Sequence, residues 1–275
     1  MVNIKKDLSV ELTSGQIASY QENGLLIVKD PAIKDLQDAI RAKLKTMSLK
    51  IMDRFPGTES VRAELEDSSY ATLVDWCVNN ENDREITRAF YEMYPTMSEV
   101  IALVDNPVFL DIARQIGLET PIPSTVPVLR VDRPMDIIYS TPTHQDIWFS
   151  MVSKNATVFW MPINPMSPDM GYLQGIPGSH KLGPIPFREW DYNENLVSIQ
   201  DFPDSQFEEL PLGNDELLVF HQCLIHRSGK NVGQRARVSL QLRYNDFETL
   251  EALKSVYQVQ LSPYVKERQK ELRQD

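Results

Sequence analysis

Residues 216–244 read ELLVFHQCLIHRSGKNVGQRARVSLQLRY. Two strand-like runs, ELLVFH (216–221) and RVSLQLRY (237–244), flank an interruption rich in Gly, Ser and Asn, residues that turn a chain. The first run is strongly apolar. The second alternates, placing Arg237, Ser239, Gln241 and Arg243 on one face. Upstream lie further short runs of the same kind: VPVLRV (126–131), THQDIWFSM (143–151), ATVFWMPI (156–163) and GYLQGI (171–176). Gly, Pro, Asn and Asp clusters separate them. Many short strands between turn signals predict a β-sandwich or jelly roll over 121–247.

Outward from this core the character changes. TPIPSTVP (120–127) marks a boundary, and residues 1–120 read mainly as helix. Ser14 is placed to cap a helix stopping at Gly24, and LLIVK (25–29) reads as a short buried strand. Pro31 opens a long amphipathic helix with Ile33, Leu36, Ala39, Ile40, Leu44 and Met47 on one face. Residues 83–105 repeat a helical pattern broken near Pro95. Asn106-Pro107 opens another helix that stops at Gly117. Residues 53–82 read as a lid or a connection, and 248–275 as a polar helical tail. The whole is expected to be one domain of mainly β class with added helices.

The chain has 275 residues, 39 acidic and 28 basic, for a formal net charge of -11. Such a surface repels nucleic acid and anionic membranes. The two cysteines, Cys77 and Cys223, form no disulfide framework and no CxxC metal pair. No apolar leader and no run of about 18 apolar residues is present, so a soluble, cytoplasmic protein is expected.

Three features carry chemistry. In Thr143-His144-Gln145-Asp146 the His and Asp stand two apart, so on a strand both project to one side. An imidazole and a carboxylate so placed are two-thirds of a facial metal triad that leaves three positions open. His226, where the chain leaves the apolar strand, can supply the third ligand; His221 is its competitor. Arg237 and Ser239 share a face, and an arginine fork with a neighbouring hydroxyl suits a carboxylate. Arg235, nearer the turn, is the alternative.

HQD at 144–146, GYLQGIPGSHK at 171–181 and HRSGKNVGQRAR at 226–237 together resemble the phytanoyl-CoA dioxygenase family of iron(II)/2-oxoglutarate oxygenases. That family pairs HxD with a distal HxSGxN segment followed by an arginine eleven residues after the histidine. Here His226, Ser228, Gly229, Asn231 and Arg237 fall in register. The resemblance covers about residues 125–245. It implies a double-stranded β-helix (a cupin-like jelly roll), with His144, Asp146 and His226 holding Fe(II) and Arg237 anchoring 2-oxoglutarate. It also implies Trp160 and Ser228 at the co-substrate pocket, and O2 as oxidant; Ser239 is expected as a co-substrate contact on the face it shares with Arg237. The implied reaction hydroxylates a small molecule while 2-oxoglutarate becomes succinate and CO2. Desaturation, cyclisation, epimerisation or a non-catalytic binding module are the alternatives. Related halogenases lack the carboxylate ligand, so Asp146 favours hydroxylation. Arg227 stands where the family often has a small residue. With Arg130 and Arg243, it is a candidate to meet substrate. His180 is expected to be a loop hydrogen-bonder. Neither the substrate nor the oligomeric state is readable.

Overall fold

A computed structural model describes residues 9–55, 58–80, 83–124, 127–135, 140–149, 153–186, 189–191, 196–213 and 215–250. The expected tail beyond 250 lies outside them.

The helical region begins with α1 (Ser14–Asn23), whose cap is Thr13 and not Ser14. The Thr13 hydroxyl accepts from Gln16 N, and the Gln16 side chain accepts from Thr13 N, satisfying two backbone donors at once. Gly24, at φ 71°, stops the helix because only glycine enters the left-handed region without strain. β1 (Leu25–Lys29) follows, then α2 (Pro31–Met52), opened by the Asp30 carboxylate accepting from Ala32 N. Of the expected α2 face, Ile33, Leu36, Ile40, Leu44 and Met47 are buried and Ala39, at its margin, is half-buried. Residues 53–82 include two further helices, α3 (Glu59–Asp67) and α4 (Tyr70–Asn79). α5 (Asp83–Met93) passes through a 3-10 turn at Pro95 into the short α6 (Ser98–Ile101). α7 (Pro107–Gln115) is capped by the Asn106 side chain.

The β region contains β2 (Pro121–Pro123), β3 (Val128–Asp132), β4 (Ala156–Pro162), β5 (Leu173–Gly175), β6 (Glu189–Asp191), β7 (Leu196–Ser198), β8 (Glu208–Leu210), β9 (Glu216–His221), β10 (His226–Ser228) and β11 (Arg237–Asp246). One antiparallel sheet runs β1-β9-β4-β11-β2, with β3 also paired to β11. A second runs β10-β5-β8, and β6 pairs with β7. Ser239 stands opposite Arg130 on one side and Pro162 on the other. The architecture is the expected jelly roll with helices.

Strand periodicity divides the large sheet into two faces. Phe159, Met161, Val219, Leu240 and Tyr244 join the helices in one apolar core. Val158, Trp160, Leu218 and Phe220 look the other way, into a second core shared with Leu173, Leu210 and Ile225. His226 lies on this inner side, its ring 4.7 Å from that of Phe220. One expected strand does not form among the described residues of THQDIWFSM: His144 makes an isolated bridge, and Asp146–Trp148 is a 3-10 turn. Among the described residues no helix is long and apolar enough to cross a membrane.

Candidate metal centre

His226 opens β10, and its backbone bridges His144. His144 N donates to His226 O at 2.9 Å, and His226 N donates to His144 O at 3.1 Å. This pairing brings two residues 82 apart in sequence side by side, with ring centroids 4.1 Å apart. Asp146 enters from the 3-10 turn, whose Ile147 N donates to Gln222 O. Gln145 fixes that turn from behind. Its amide donates to the Gly183 and Cys223 carbonyls, and its oxygen accepts from Ile185 N. The buried ligand atoms of His144, Asp146 and His226 all lie within 4.8 Å of one another. The convergence expected of a strand is thus achieved by a bridge and a turn.

Hydrogen bonds set the protonation pattern. His144 Nδ1 faces Pro142 O at 2.7 Å and His226 Nδ1 faces Leu224 O at 3.0 Å. A carbonyl only accepts, so each Nδ1 carries the proton and each Nε2 offers a lone pair inward. Burial, reinforced by neighbouring His226, pushes the His144 pKa down to about 3, and burial also lowers that of His226. Both imidazoles are therefore neutral, the form that ligates a metal. Burial opposes ionisation of Asp146, but Arg243, His226 and His144 outweigh it and hold its carboxyl below the usual range. Arg243 donates through Nε (3.0 Å) and Nη2 (2.8 Å), both to Asp146 Oδ1. Oδ2 is left facing His226 Nε2 at 3.4 Å. Two neutral nitrogens and one carboxylate oxygen on one side of a buried point fit iron(II) and leave further positions for exogenous ligands.

A cavity of about 870 Å³ opens over the triad, lined in part by His144, His226, Trp160, Ser228, Arg130 and Arg243. Arg237 and Ser239 are buried just behind this wall. Arg237 donates to Asp132 Oδ2 (3.0 and 3.1 Å) and to the carbonyls of Gly171 and Gly229. The Ser239 hydroxyl has no hydrogen-bond partner among the described residues, which is unusual for a buried polar atom and marks a place for an incoming acceptor or donor. Arg227 lies away from the cavity. It bonds Gln174 and Asp204 and stacks over the Phe207 ring at 3.9 Å. Arg235 pairs with Asp75 of α4 on the helical side. His221 Nδ1 accepts from Cys223 N, and His180 bonds Gln21 O, so neither joins the triad.

Sequence reasoning missed Asp132, which is bonded by both Arg130 and Arg237. It also missed Arg84, Arg88, Tyr91 and Arg133 on the cavity wall. The i, i+4, i+7 spacing of 84, 88 and 91 signalled a shared helix face, but not what that face looks onto.

The phytanoyl-CoA dioxygenase (PhyH) family model matches residues 20–239. The bovine peroxisomal phytanoyl-CoA dioxygenase is 24% identical over an alignment of 245 positions that covers 82% of this chain and 66% of the relative. The chain thus spans about two thirds of that protein's length. Among solved structures, the non-heme monooxygenase ThoJ in its apo form has a TM-score of 0.54 at 17% identity, covering 83% of this chain and 76% of its own. The non-heme alpha-ketoglutarate-dependent carbocyclase SnoK from nogalamycin biosynthesis has a TM-score of 0.51 at 16% identity, covering 85% and 83%. A match over most of the chain, a shared fold and a buried His-Asp-His set agree: the chain belongs to the phytanoyl-CoA dioxygenase family of iron(II)/2-oxoglutarate-dependent oxygenases.

Proposed function

We propose that this chain hydroxylates a small organic molecule, with iron(II) on His144, Asp146 and His226 and 2-oxoglutarate as co-substrate. The observation that carries the reading is the buried triad with both Nδ1 protons directed outward to carbonyls. When bound, the metal supplies oxygen activation coupled to conversion of 2-oxoglutarate into succinate and CO2. The chain's own part is positional. Arg243 turns one oxygen of Asp146 inward, and Trp160 and Phe220 keep the inner cavity wall apolar and dry. Arg237 and Ser239 are the proposed anchor for the distal carboxylate of the keto acid, with Asp132 releasing part of the Arg237 fork as that carboxylate arrives. Retention of Asp146 favours hydroxylation over chemistry that needs a vacant ligand position.

The test is oxygen-dependent succinate release from protein supplied with iron(II), ascorbate, 2-oxoglutarate and a small-molecule library, with product masses read in parallel. Asp146→Ala is expected to abolish the signal, and its persistence would show the triad to be misassigned. A product heavier by one oxygen supports hydroxylation. Loss of two hydrogens without oxygen gain points to desaturation or cyclisation.

A further inference from the structure

The segment Ile176-Pro177-Gly178-Ser179-His180-Lys181 supplies no ligand atom to the triad and does not line the cavity. It leaves the end of β5, where Gly175 stands opposite His226, turns at Gly178 (φ 79°) and enters a 3-10 turn at Ser179–Leu182. Its outer side is tied to α1. Gly178 N donates to Asn23 O at 2.7 Å, His180 Nε2 donates to Gln21 O at 3.2 Å, and Lys181 pairs with Glu22. Gln21 and Asn23 carry two of the last carbonyls of α1, which a helix cannot satisfy from within. Its inner side holds Ile225, the residue before the metal ligand, by both backbone groups. The Ser179 hydroxyl accepts from Ile225 N at 2.9 Å, and Ile176 N donates to Ile225 O at 2.9 Å. Ser179 is 5% exposed, and Leu224 and Ile225 are wholly buried, so bulk water does not replace these bonds.

Ile225 N and Leu224 O belong to a single planar peptide unit. That Leu224 oxygen accepts from His226 Nδ1 at 3.0 Å. Hydroxyl, peptide and imidazole therefore form one chain of hydrogen bonds ending at the ring that offers Nε2 to the metal. Hydrogen bonds in series polarise one another, so an acceptor at the N–H end of the peptide makes its carbonyl end the stronger acceptor. A rigid unit held at its nitrogen is also held at its oxygen. We infer that Ser179 is a positioning residue for the metal centre: its hydroxyl fixes the Leu224–Ile225 peptide, and that peptide fixes the tautomer and ring orientation of His226. Ser179 acts through His226, so this rests on the reading of His226 as a metal ligand. His180, its neighbour in sequence, serves the other side of the segment. One residue orients a ligand and the next ties down a helix.

Titration of the metal-free protein with Co(II), following the visible absorption of the bound ion, tests the inference, with urea unfolding of the metal-free protein measured in parallel. Partners that bond a metal ligand directly contribute about 10–100-fold in affinity. Ser179 stands one hydrogen bond further out, so Ser179→Ala is expected to weaken Co(II) about fivefold, the size of one neutral hydrogen bond, and to shift the absorption bands. Ser179→Thr, which keeps the hydroxyl, should restore both. His180→Ala should lower the unfolding midpoint while Co(II) affinity and bands stay as in the unaltered protein. Unaltered affinity and bands in Ser179→Ala would overturn the inference. So would an equal loss in Ser179→Thr, which traces to packing, or in His180→Ala, which traces to the segment as a whole. The triad is checked separately by His226→Ala, which should abolish Co(II) uptake. Undiminished uptake in that variant would sink the metal-site reading, and this inference with it.

Discussion

The two faces of β11 obey different rules. Outward, Val238, Leu240, Leu242 and Tyr244 pack against the helices in an apolar core, where Tyr244 meets Phe159 edge-on at 5.4 Å and Phe159 meets Phe109 at 5.3 Å. Inward, the same strand presents Arg237, Ser239, Gln241 and Arg243. Arg237 and Ser239 are only 2% and 1% exposed. The outer face is stable because its atoms have left water, and any apolar residue of similar volume would serve. The inner face must match each buried polar group to a particular partner, because an unmatched one is costly. A strand that needed only stability would repeat its outer chemistry on the inside. The polar inner face therefore measures what function requires of the fold.

The largest effect should come from the outer face and should be purely structural. Phe159→Ala removes an aromatic ring that is wholly buried, which costs about 3–5 kcal/mol. Denaturant unfolding should show this loss, while the folded fraction keeps its divalent-metal affinity. A comparable fall in metal affinity would mean that the two faces are not separable.

Arg243→Met tests the inner face next. The methionine preserves most of the apolar stem but frees Asp146 Oδ1, which both guanidinium contacts now hold. Partners that orient a metal ligand typically contribute 10–100-fold in affinity. Titration with Mn(II) or Co(II) should therefore show weakening by roughly that factor, at a smaller stability cost than Phe159→Ala. Unchanged metal affinity would make Arg243 a cavity cation only, the role its sequence position first suggested.

The contrast between faces also explains what the sequence could disclose. β11 was legible because a period of two sorts residues onto faces without any knowledge of neighbours. The same logic found the buried stripe of α2. The triad's composition was legible from its motifs, but its construction was not. His144 reaches His226 through a long-range bridge, and Asp146 sits in a 3-10 turn where a strand was expected. Local propensity does not encode pairing between residues 82 apart. Likewise, the helix of Arg84 and Arg88 was evident, but its outlook onto the cavity depends on how α5 docks on β3. Arg227 is offered by the sequence as a candidate to meet substrate, next to His226. Alternation along β10 instead turns it to Gln174 and Asp204 on the opposite side.

Arg235 and Arg237 give the smallest and most discriminating comparison. Two apart in sequence, they read as alternatives, yet β11 begins only at Arg237, and the alternation does not extend back through the turn. Arg235 pairs with Asp75 and is 46% exposed at its side chain, whereas the Arg237 guanidinium is fixed by Asp132 and two backbone carbonyls. Arg237→Lys keeps the charge that balances Asp132 but replaces a planar fork with a point donor. Losing about one charge-assisted hydrogen bond, worth some 1.5 kcal/mol, should weaken 2-oxoglutarate roughly tenfold. Arg235→Lys should leave it unchanged, since exposed pairs contribute little and this one faces α4. Apparent 2-oxoglutarate affinity, from succinate release against co-substrate concentration, measures both. If Arg237→Lys behaves like Arg235→Lys, then Arg130, which lines the cavity and shares Asp132, becomes the anchor, and Arg237 serves only to hold the loop carbonyls of Gly171 and Gly229 beneath the site.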